Sequence, residues 1–405
     1  MADTREAPPI GPADLPVPGP AALPATVGYF AAFVALGLAS AALGPTLPAL
    51  AQLTESGLAQ ISVLFVARSL GYLTGAAVGG RLYDRTGGHP VVVASLLLMA
   101  GAMAVVPLLA SRWLLFLAIL VLGAAEGVVD VGGNTLLVWV HGEGVGPRMN
   151  ALHFCFGLGA FLSPMIIAQV VLRGGGIRLA YWTLAVLLLP GALWLIRRVS
   201  PAAPSRRATD PSGGGAAGTL ALMAVFFFLY VGAEIGFGGW IYSYAVALRP
   251  SSEAVAAYLT SAFWGAFTVG RLAGIPLAAR FRPGMILLAD LAGALASLGL
   301  LLAAPHSLAA TWMGTCGVGL CMASIFPAML SLAQSRMQIT GRVTGWFFVG
   351  ASAGGMTLPW LIGQLFEVAG PPAVMLIIFI DLAAAAAVLG VIALRSSRPI
   401  YGGSH

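Results

Sequence analysis

The chain has 405 residues, a net charge of +6, 59% hydrophobic residues and only 8% charged residues. Because soluble domains carry about 25% charged residues, this composition excludes a soluble globular protein and predicts a multi-pass membrane protein. The positive charge does not indicate nucleic-acid binding, since the basic side chains are arginines placed mainly in short loops between apolar segments. The three cysteines lie inside apolar segments, so no disulfide framework is predicted.

Residues 1–25 are rich in proline and alanine and lack the apolar core of a signal peptide, so they are predicted to be a disordered tail. Twelve apolar segments follow, each near the roughly 20 residues that a helix needs to cross a bilayer. These segments, which we number as spans 1 to 12, comprise residues 26–50, 58–80, 90–109, 113–140, 149–172, 177–196, 218–247, 254–279, 284–304, 307–333, 341–366 and 371–394.

The longest polar break, residues 197–217, contains four arginines and a run of glycines. It is predicted to be a cytoplasmic linker between an N-terminal six-helix bundle (26–196) and a C-terminal six-helix bundle (218–394), with residues 395–405 as a C-terminal tail. If both termini are cytoplasmic, fourteen arginines fall on the inner side and four on the outer side. This bias follows the positive-inside rule and predicts cytoplasmic termini.

The composition also bears on the source of the chain. Lysine is absent, while alanine, glycine and proline are abundant. Such a bias indicates a GC-rich coding sequence. The predicted location is therefore a cell membrane, in particular a bacterial inner membrane.

Two short patterns occur once in each half and in the same order. The pattern G-x4-P-x4-Q begins at Gly159 in span 5 and again at Gly354 in span 11, and the pattern R-x2-G begins at Arg68 in span 2 and at Arg271 in span 8. Parallel six-helix repeats are the building units of transporters whose halves rock against each other. The patterns therefore predict two pseudo-symmetric bundles.

Span 4 carries Glu126, Asp130 and Asn134 within an otherwise apolar stretch. Their spacing of four residues stacks them on one face of a helix. Because a carboxylate in hydrocarbon costs at least about 2.5 kcal/mol, we expect this face to line a bundle interior or a water-filled pathway. The alternative is a polar network that only ties helices together.

Arg68 lies at a depth similar to that of the two acids. At about 1.5 Å of helical rise per residue, Arg68 is roughly 18 Å from the inner membrane face, Asp130 roughly 15 Å and Glu126 roughly 21 Å. A buried arginine stays charged and needs a partner, so Arg68 is predicted to pair with one of these acids. The pair is either a permanent structural link or a switch that opens when H⁺ or Na⁺ neutralises the acid.

The loop after span 2 reads GRLYDRTG, with the motif residues Gly80, Leu82, Asp84, Arg85 and Gly87. It resembles the loop signature of the major facilitator superfamily, without the two basic residues that usually follow. The resemblance implies an all-α membrane fold of twelve transmembrane helices in two pseudo-symmetric six-helix bundles. Gly80 would permit close helix approach, and Asp84 would cap a helix or pair with an arginine to hold an inner gate shut. The alternative is a tight turn with positive-inside anchors.

Further segments resemble a branch of this superfamily, the sodium-dependent glucose transporters, and more distantly the fucose permeases. They are RSLGY from Arg68, DVGGN from Asp130, ALHF from Ala151 and YVGAEIGFGGWIY from Tyr230. The resemblance extends from span 2 over nearly the whole chain. In fucose permeases an acid four residues before an asparagine in span 4 serves proton coupling, and Asp130 and Asn134 match that spacing. Those permeases also use an acid in span 1, which this chain lacks.

Span 7 is predicted to form the opposite wall of a solute site. Tyr230, Glu234 and Phe237 share a helix face, and Trp240 adds a second stacking surface if the helix unwinds at the neighbouring glycines. Aromatic rings suit the C–H face of a sugar while a carboxylate accepts from its hydroxyls, although aromatic pockets also bind other apolar solutes. The predicted solute-binding residues are Asn134, Asn150, His153, Tyr230, Glu234, Phe237 and Trp240.

Five other polar residues have weaker interpretations. Gln169 and Gln364 are predicted to join helices near the outer membrane face. Asp290 would reach interfacial water, whereas Asp381, deep in span 12, has no evident partner. His89 is predicted to be a solvated loop residue rather than a proton carrier.

Together these features predict a monomeric secondary active transporter that works by alternating access and moves a sugar, specifically a hexose, with H⁺ or Na⁺. The ion-coupling residues would be Arg68, Glu126 and Asp130, with no metal, cofactor or nucleic-acid partner and with membrane lipid around the helices. The alternative is a proton-driven exporter of drugs or amphiphilic solutes, which is less favoured because Pro164 follows Ser163 instead of a glycine. A membrane sensor or enzyme is disfavoured, since the sequence has no credible metal cluster, nucleophile motif or phosphate loop.

Overall fold

The structure is a computed structural model that describes residues 22–83, 85–201, 217–248, 252–337 and 341–396. All regular elements within these ranges are helical. The α-helices are α1 Ala22–Ser40, α2 Leu43–Leu53, α3 Leu58–Ile61, α4 Val63–Tyr83, α5 Gly88–Val105, α6 Arg112–His141, α7 Gly146–Leu172, α8 Gly176–Leu187, α9 Leu189–Leu195, α10 Ala217–Ala247, α11 Glu253–Arg280, α12 Pro283–Ala303, α13 Leu308–Met322, α14 Ile325–Gln334, α15 Gly341–Ala369 and α16 Pro372–Ser396.

These helices follow the twelve predicted spans. Four spans are divided in two, as α1–α2, α3–α4, α8–α9 and α13–α14. Within the described ranges, eleven helical segments are long and apolar enough to cross a membrane. The remaining predicted span corresponds to α15, which has 29 residues but is less apolar because glycine, serine and threonine occupy its middle.

The predicted domain boundaries differ slightly from the helix ends. Helix α1 begins at Ala22, inside the predicted tail. Pro24 does not prevent this, because proline is tolerated in a first helical turn, where backbone N–H groups have no intrahelical acceptor. Helix α10 begins at Ala217, the last residue of the predicted linker, and α16 continues to Ser396. The other residues of both predicted tails and most of the linker lie outside the described residues.

Glycines bring the backbones of paired helices together. A methyl group added at Gly71 on α4 would lie 2.1 Å from the Leu120 carbonyl oxygen on α6, and one added at Gly123 on α6 would lie 2.1 Å from the Arg68 carbonyl oxygen. No real side chain fits at such distances. Small residues allow this contact in a membrane helix pair, and it fixes α4 and α6 in register.

The repeated G-x4-P-x4-Q pattern makes equivalent contacts in the two halves. A methyl group at Gly159 on α7 would lie 2.1 Å from the Val34 carbonyl oxygen on α1, and one at Gly354 on α15 would lie 1.9 Å from the Phe228 carbonyl oxygen on α10. The pattern thus packs span 5 on span 1 and span 11 on span 7. This agrees with an internal repeat.

The glutamines of the same pattern join the two bundles. The Gln169 side chain on α7 donates to the Tyr258 hydroxyl on α11. Gln364 Nε2 on α15 donates to the Ala59 carbonyl at 2.7 Å and to the Ser62 hydroxyl at 3.2 Å. We call the end of the molecule that contains these contacts the closed end.

The bundles separate toward the opposite end, which we call the open end. On α7, Gly157 and Phe161 face α11, where a methyl group at Gly157 would lie 2.1 Å from the Thr268 hydroxyl. Asn150 and Phe154 share that helix face but are exposed, Phe154 at 39%. The same surface is therefore covered near the closed end and uncovered near the open end.

Candidate functional site

An ion pair joins α4 and α6 inside the N-terminal bundle. Arg68 Nε donates to Glu126 Oε2 at 2.9 Å, with Glu126 fully buried and the Arg68 side chain 16% exposed. The Ser40 hydroxyl is close to this carboxylate, but Glu126 Oε1 has no hydrogen-bond partner of good geometry among the described residues. Of the two acids predicted as partners of Arg68, the structure therefore pairs it with Glu126 and not with Asp130.

Asp130 lies one helical turn further along α6 and is held by neutral donors. The Tyr72 hydroxyl donates to Asp130 Oδ2, and Asn134 Nδ2 donates to Asp130 Oδ1 at 3.1 Å and to the Asp130 carbonyl at 2.9 Å. Both carboxylate oxygens therefore accept a hydrogen bond from a neutral side chain, and Asp130 forms no ion pair with a described residue. In this conformation Asn134 orients Asp130.

The predicted wall on α10 combines a carboxylate with buried aromatic rings. The Tyr230 hydroxyl lies 2.5 Å from Glu234 Oε2, to which it donates, and 3.0 Å from the Met322 carbonyl oxygen. Glu234 is half-buried, whereas Tyr230, Phe237 and Trp240 are completely buried. Helix α10 is continuous from Ala217 to Ala247, so it does not unwind at its glycines.

Trp240 is enclosed between the two bundles near the closed end. Its Nε1 donates to the Pro359 carbonyl at 2.9 Å. Its ring lies 5.3 Å from the Phe366 ring and 6.2 Å from the ring of Phe65, which belongs to the N-terminal bundle. Separation of the bundles at this end would uncover one side of the indole. Its stacking on a solute stays a prediction.

Arg271 on α11 interacts electrostatically with an acidic residue of each bundle. Its charge acts on Asp130 and His153 from the N-terminal bundle and on Glu234 from the C-terminal bundle. Its guanidinium carbon lies 4.7 Å from the centre of the Phe267 ring. Arg271 is not among the residues predicted for the site. Its sequence context gives a signal, however, since an arginine within an apolar span repeats the pattern at Arg68.

The two predicted residues of span 5 have different environments. His153 is half-buried, and its ring lies edge-on to the Phe33 ring at 5.8 Å. Asn150 is exposed near the open end. The structure therefore places His153 near the charge of Arg271 and leaves Asn150 at the entrance between the bundles.

The loop motif after span 2 is only partly described, because Asp84 lies outside the described residues. The prediction that Gly80 permits close helix approach is wrong, since nothing lies within 4 Å of a methyl group placed there. The neighbouring Gly79 makes that contact, with Val128 at 3.2 Å, because one residue turns the helix face by about 100°. Arg85 is exposed, and Gly87 is the extended residue that precedes α5.

The prediction that His89 is a solvated loop residue is also wrong. It is 1% exposed in the first turn of α5, with the Tyr29 hydroxyl 2.8 Å from Nε2 and the Arg198 carbonyl 3.2 Å from Nδ1. Its backbone N–H donates to the Ser200 hydroxyl at 2.9 Å. The sequence could not show that the segment after span 6 folds over this turn.

Two other acids lie outside the site. Asp290 on α12 is half-buried and accepts a 2.7 Å hydrogen bond from Ser324. Asp381 on α16 is 7% exposed, and its Oδ2 has no partner in the described part of the chain. No group of three or more His, Cys, Asp or Glu side chains that could hold a metal ion occurs among the described residues. The site offers two carboxylates and one arginine to a proton, a monovalent cation or a polar solute.

Comparisons with known proteins identify the family. A family model of the Major Facilitator Superfamily matches residues 29–359. Sodium-dependent glucose transporter 1A of Mus musculus is 30% identical over 374 residues, which cover 83% of this chain and 88% of that protein. Sodium-dependent glucose transporter 1 of Xenopus laevis is 35% identical over 360 residues, which cover 81% of this chain and 73% of that protein.

Solved structures share the fold at low sequence identity. The crystal structure of the nucleoside transporter NupG gives a TM-score of 0.74 at 12% identity, over 92% of this chain and 99% of that one. A bacterial homologue of the human lysosomal transporter Spinster, solved in an inward-facing and unoccupied conformation, gives a TM-score of 0.69 at 11% identity, over 93% and 96%. These likenesses establish the all-α fold of two six-helix bundles.

Proposed function

Because the chain belongs to the Major Facilitator Superfamily, we propose that it works by alternating access and moves a hexose together with Na⁺ or H⁺. It is a multi-pass membrane transporter and not an enzyme. The identity of the solute as a hexose, the coupling to Na⁺ or H⁺ and the monomeric state are proposals. No cofactor besides the coupling ion enters this mechanism.

The proposal rests on the electrostatic interaction of Arg271 with an acid from each bundle, Asp130 and Glu234. Arg271 offsets one of these carboxylates, so one negative charge is in excess when both are ionised. One H⁺ or one Na⁺ would balance that charge. An ionisable group inside a membrane span is expensive, and a cation that relieves this cost would bind together with the solute.

The contacts between the bundles support a rocking motion. Gln169 and Gln364 join the bundles at the closed end, while Asn150 is exposed at the open end. If both termini are cytoplasmic, as the arginine bias predicts, the open end faces the cytoplasm. The conformation would then be inward-facing. We propose a bacterial inner membrane as the location.

Two observations favour a sugar as the transported solute. The relatives named above are sodium-dependent glucose transporters. The site also combines the half-buried carboxylates of Asp130 and Glu234 with the hydroxyl of the half-buried Tyr72, and these groups can form hydrogen bonds with the hydroxyl groups of a sugar. An amphiphile would use few of these polar groups.

Ligand binding to the purified transporter tests this function. D-glucose and other hexoses are titrated by calorimetry in Na⁺ or in choline, and at two pH values, with L-glucose as the matched control. We expect saturable hexose binding that tightens with one of the two cations. Folded protein that binds no hexose but is stabilised by amphiphilic drugs would instead favour the exporter.

A further inference from the structure

Arg68 and Arg271 occupy equivalent positions in the internal repeat but differ in their partners. Arg68 pairs with Glu126 at 2.9 Å. Arg271 makes no ion pair with a described residue, and its buried Nε has no hydrogen-bond partner there. The repeat therefore contains one arginine that forms an ion pair and one that forms none with a described residue.

The helices packed against α11 next to Arg271 carry no acid that could pair with it. Gly270 approaches the Leu320 carbonyl, and Gly274 approaches Ser324, so this part of α11 faces α13 and α14. The sequence Leu308–Gln334 that forms these two helices contains no aspartate or glutamate. The helix pair of span 10 therefore lacks the acid that Glu126 in span 4 supplies to Arg68, and the nearby Asp290 on α12 accepts a hydrogen bond from Ser324.

The surrounding groups hold the guanidinium without using up its donors. The Phe267 ring supports one face at 4.7 Å, a cation–π contact that leaves the N–H edges free. Asp130 and Glu234, which feel its charge, take their described hydrogen bonds from Tyr72, Asn134 and Tyr230 instead. Arginine carries five N–H donors in a planar fork, so a second ligand can be accommodated.

We propose that Arg271 is a solute-binding residue whose guanidinium donates to two adjacent hydroxyl oxygens of the hexose. This inference rests on the proposed function. A buried N–H donor without a hydrogen-bond partner is costly, and a sugar hydroxyl would accept from it. Because Arg271 interacts electrostatically with Asp130 of one bundle and Glu234 of the other, both bundles would respond to a solute bound here.

A chemical double-mutant cycle tests the assignment. Binding of D-glucose and of each monodeoxyglucose is measured by calorimetry to wild-type protein and to Arg271→Gln, with Arg271→Lys as a second variant. Arg280→Gln, at an exposed position on the same helix, is the matched control. For wild type and the control, we expect removal of a contacted hydroxyl to weaken binding about tenfold or more, the effect of losing a hydrogen bond to a charged group. In Arg271→Gln the same removal should cause no additional loss.

The outcomes separate this inference from the proposed function. Coupling between Arg271 and one or two adjacent hydroxyls would support the contact. Wild-type hexose binding with losses that simply add at every position would overturn the inference and leave hexose transport in place. Arg271 would then serve only to balance the charge of Asp130 or Glu234. Absence of hexose binding to folded wild-type protein would overturn the proposed function, and the inference with it.

Discussion

Arg68 on α4 donates to Glu126 on α6 at 2.9 Å, across two helices whose backbones touch through glycine. The contact is a buried ion pair in which the acid has no exposure and the arginine has little. Such a pair adds little net stability compared with apolar packing, but the loss of one partner leaves an uncompensated buried charge. It therefore commits α4 and α6 to move as one unit.

The first prediction concerns this pair. We expect Arg68→Gln to lower the free energy of unfolding by about 3–5 kcal/mol, because Glu126 would remain buried without its cation. The double variant Arg68→Gln/Glu126→Gln should lose less than the sum of the two single changes. Thermal unfolding of purified protein measures the cycle.

The matched control for this cycle is Arg280→Gln on α11. That arginine is exposed and forms no ion pair with a described residue, so its loss should change stability much less. Strict additivity of Arg68→Gln and Glu126→Gln, or an equal loss in the Arg280 variant, would contradict the interpretation of the pair as an internally neutralised unit.

The second prediction concerns coupling at Asp130. Asp130→Asn should retain exchange of labelled solute but lose accumulation driven by an ion gradient. The amide keeps the size of the side chain but can neither take up a proton nor attract Na⁺. Counterflow and gradient-driven uptake in proteoliposomes measure the two activities, with the exposed Glu253→Gln as a control. Unchanged accumulation would remove Asp130 from the coupling mechanism.

The third prediction concerns the contacts that close one end of the molecule. Gln364→Leu should destabilise the closed end, because the Ala59 carbonyl and Ser62 hydroxyl lose their donor. A spin-label distance between Gln60→Cys and Glu253→Cys, both exposed and on different bundles, should shift toward longer values. The cysteines are introduced into a background that lacks the native ones.

The control for this distance measurement is Gln52→Leu, an exposed glutamine at the same end. It should leave the distance distribution as in the parent protein. If Gln364→Leu also left the distribution unchanged, the glutamine would be a packing group and not a determinant of the closed state.

The fourth prediction concerns Trp240. Because Phe65 of the other bundle covers its ring, it can contact a solute only after the closed end opens. We expect Trp240→Ala to weaken solute affinity measured from the closed-end side of oriented proteoliposomes. Trp240→Phe retains an aromatic face and should weaken affinity less. Unaltered affinity in both variants would place Trp240 in packing.

Much of the fold could be predicted from the sequence, because a bilayer requires long apolar segments and the pattern of arginines marks their ends. The twelve spans correspond to the observed helices, and the repeated patterns around Gly159 and Gly354 make equivalent contacts in both halves. The spacing of Glu126 and Asp130 also placed them correctly on one face of α6. These are local properties of a periodic helix.

Properties that depend on contacts between distant segments could not be predicted. The burial of His89 depends on the backbone at Arg198 and on Ser200. Whether Gly79 or Gly80 faces α6 depends on the rotation of α4 about its axis, and a difference of one residue decides it. The proposed role of Arg271 depends on the lack of an acid in a helix pair that lies about 50 residues further along the chain.

Uptake of labelled D-glucose into proteoliposomes, under an imposed Na⁺ gradient and then under an imposed proton gradient, is the decisive test of cation-coupled sugar transport. We expect accumulation above equilibrium under one of the two gradients, and its loss when an ionophore dissipates that gradient. Protein-free liposomes and the Asp130→Asn variant give the baselines. Folded protein that accumulates no hexose under either gradient would contradict the account of this chain as a cation-coupled sugar transporter.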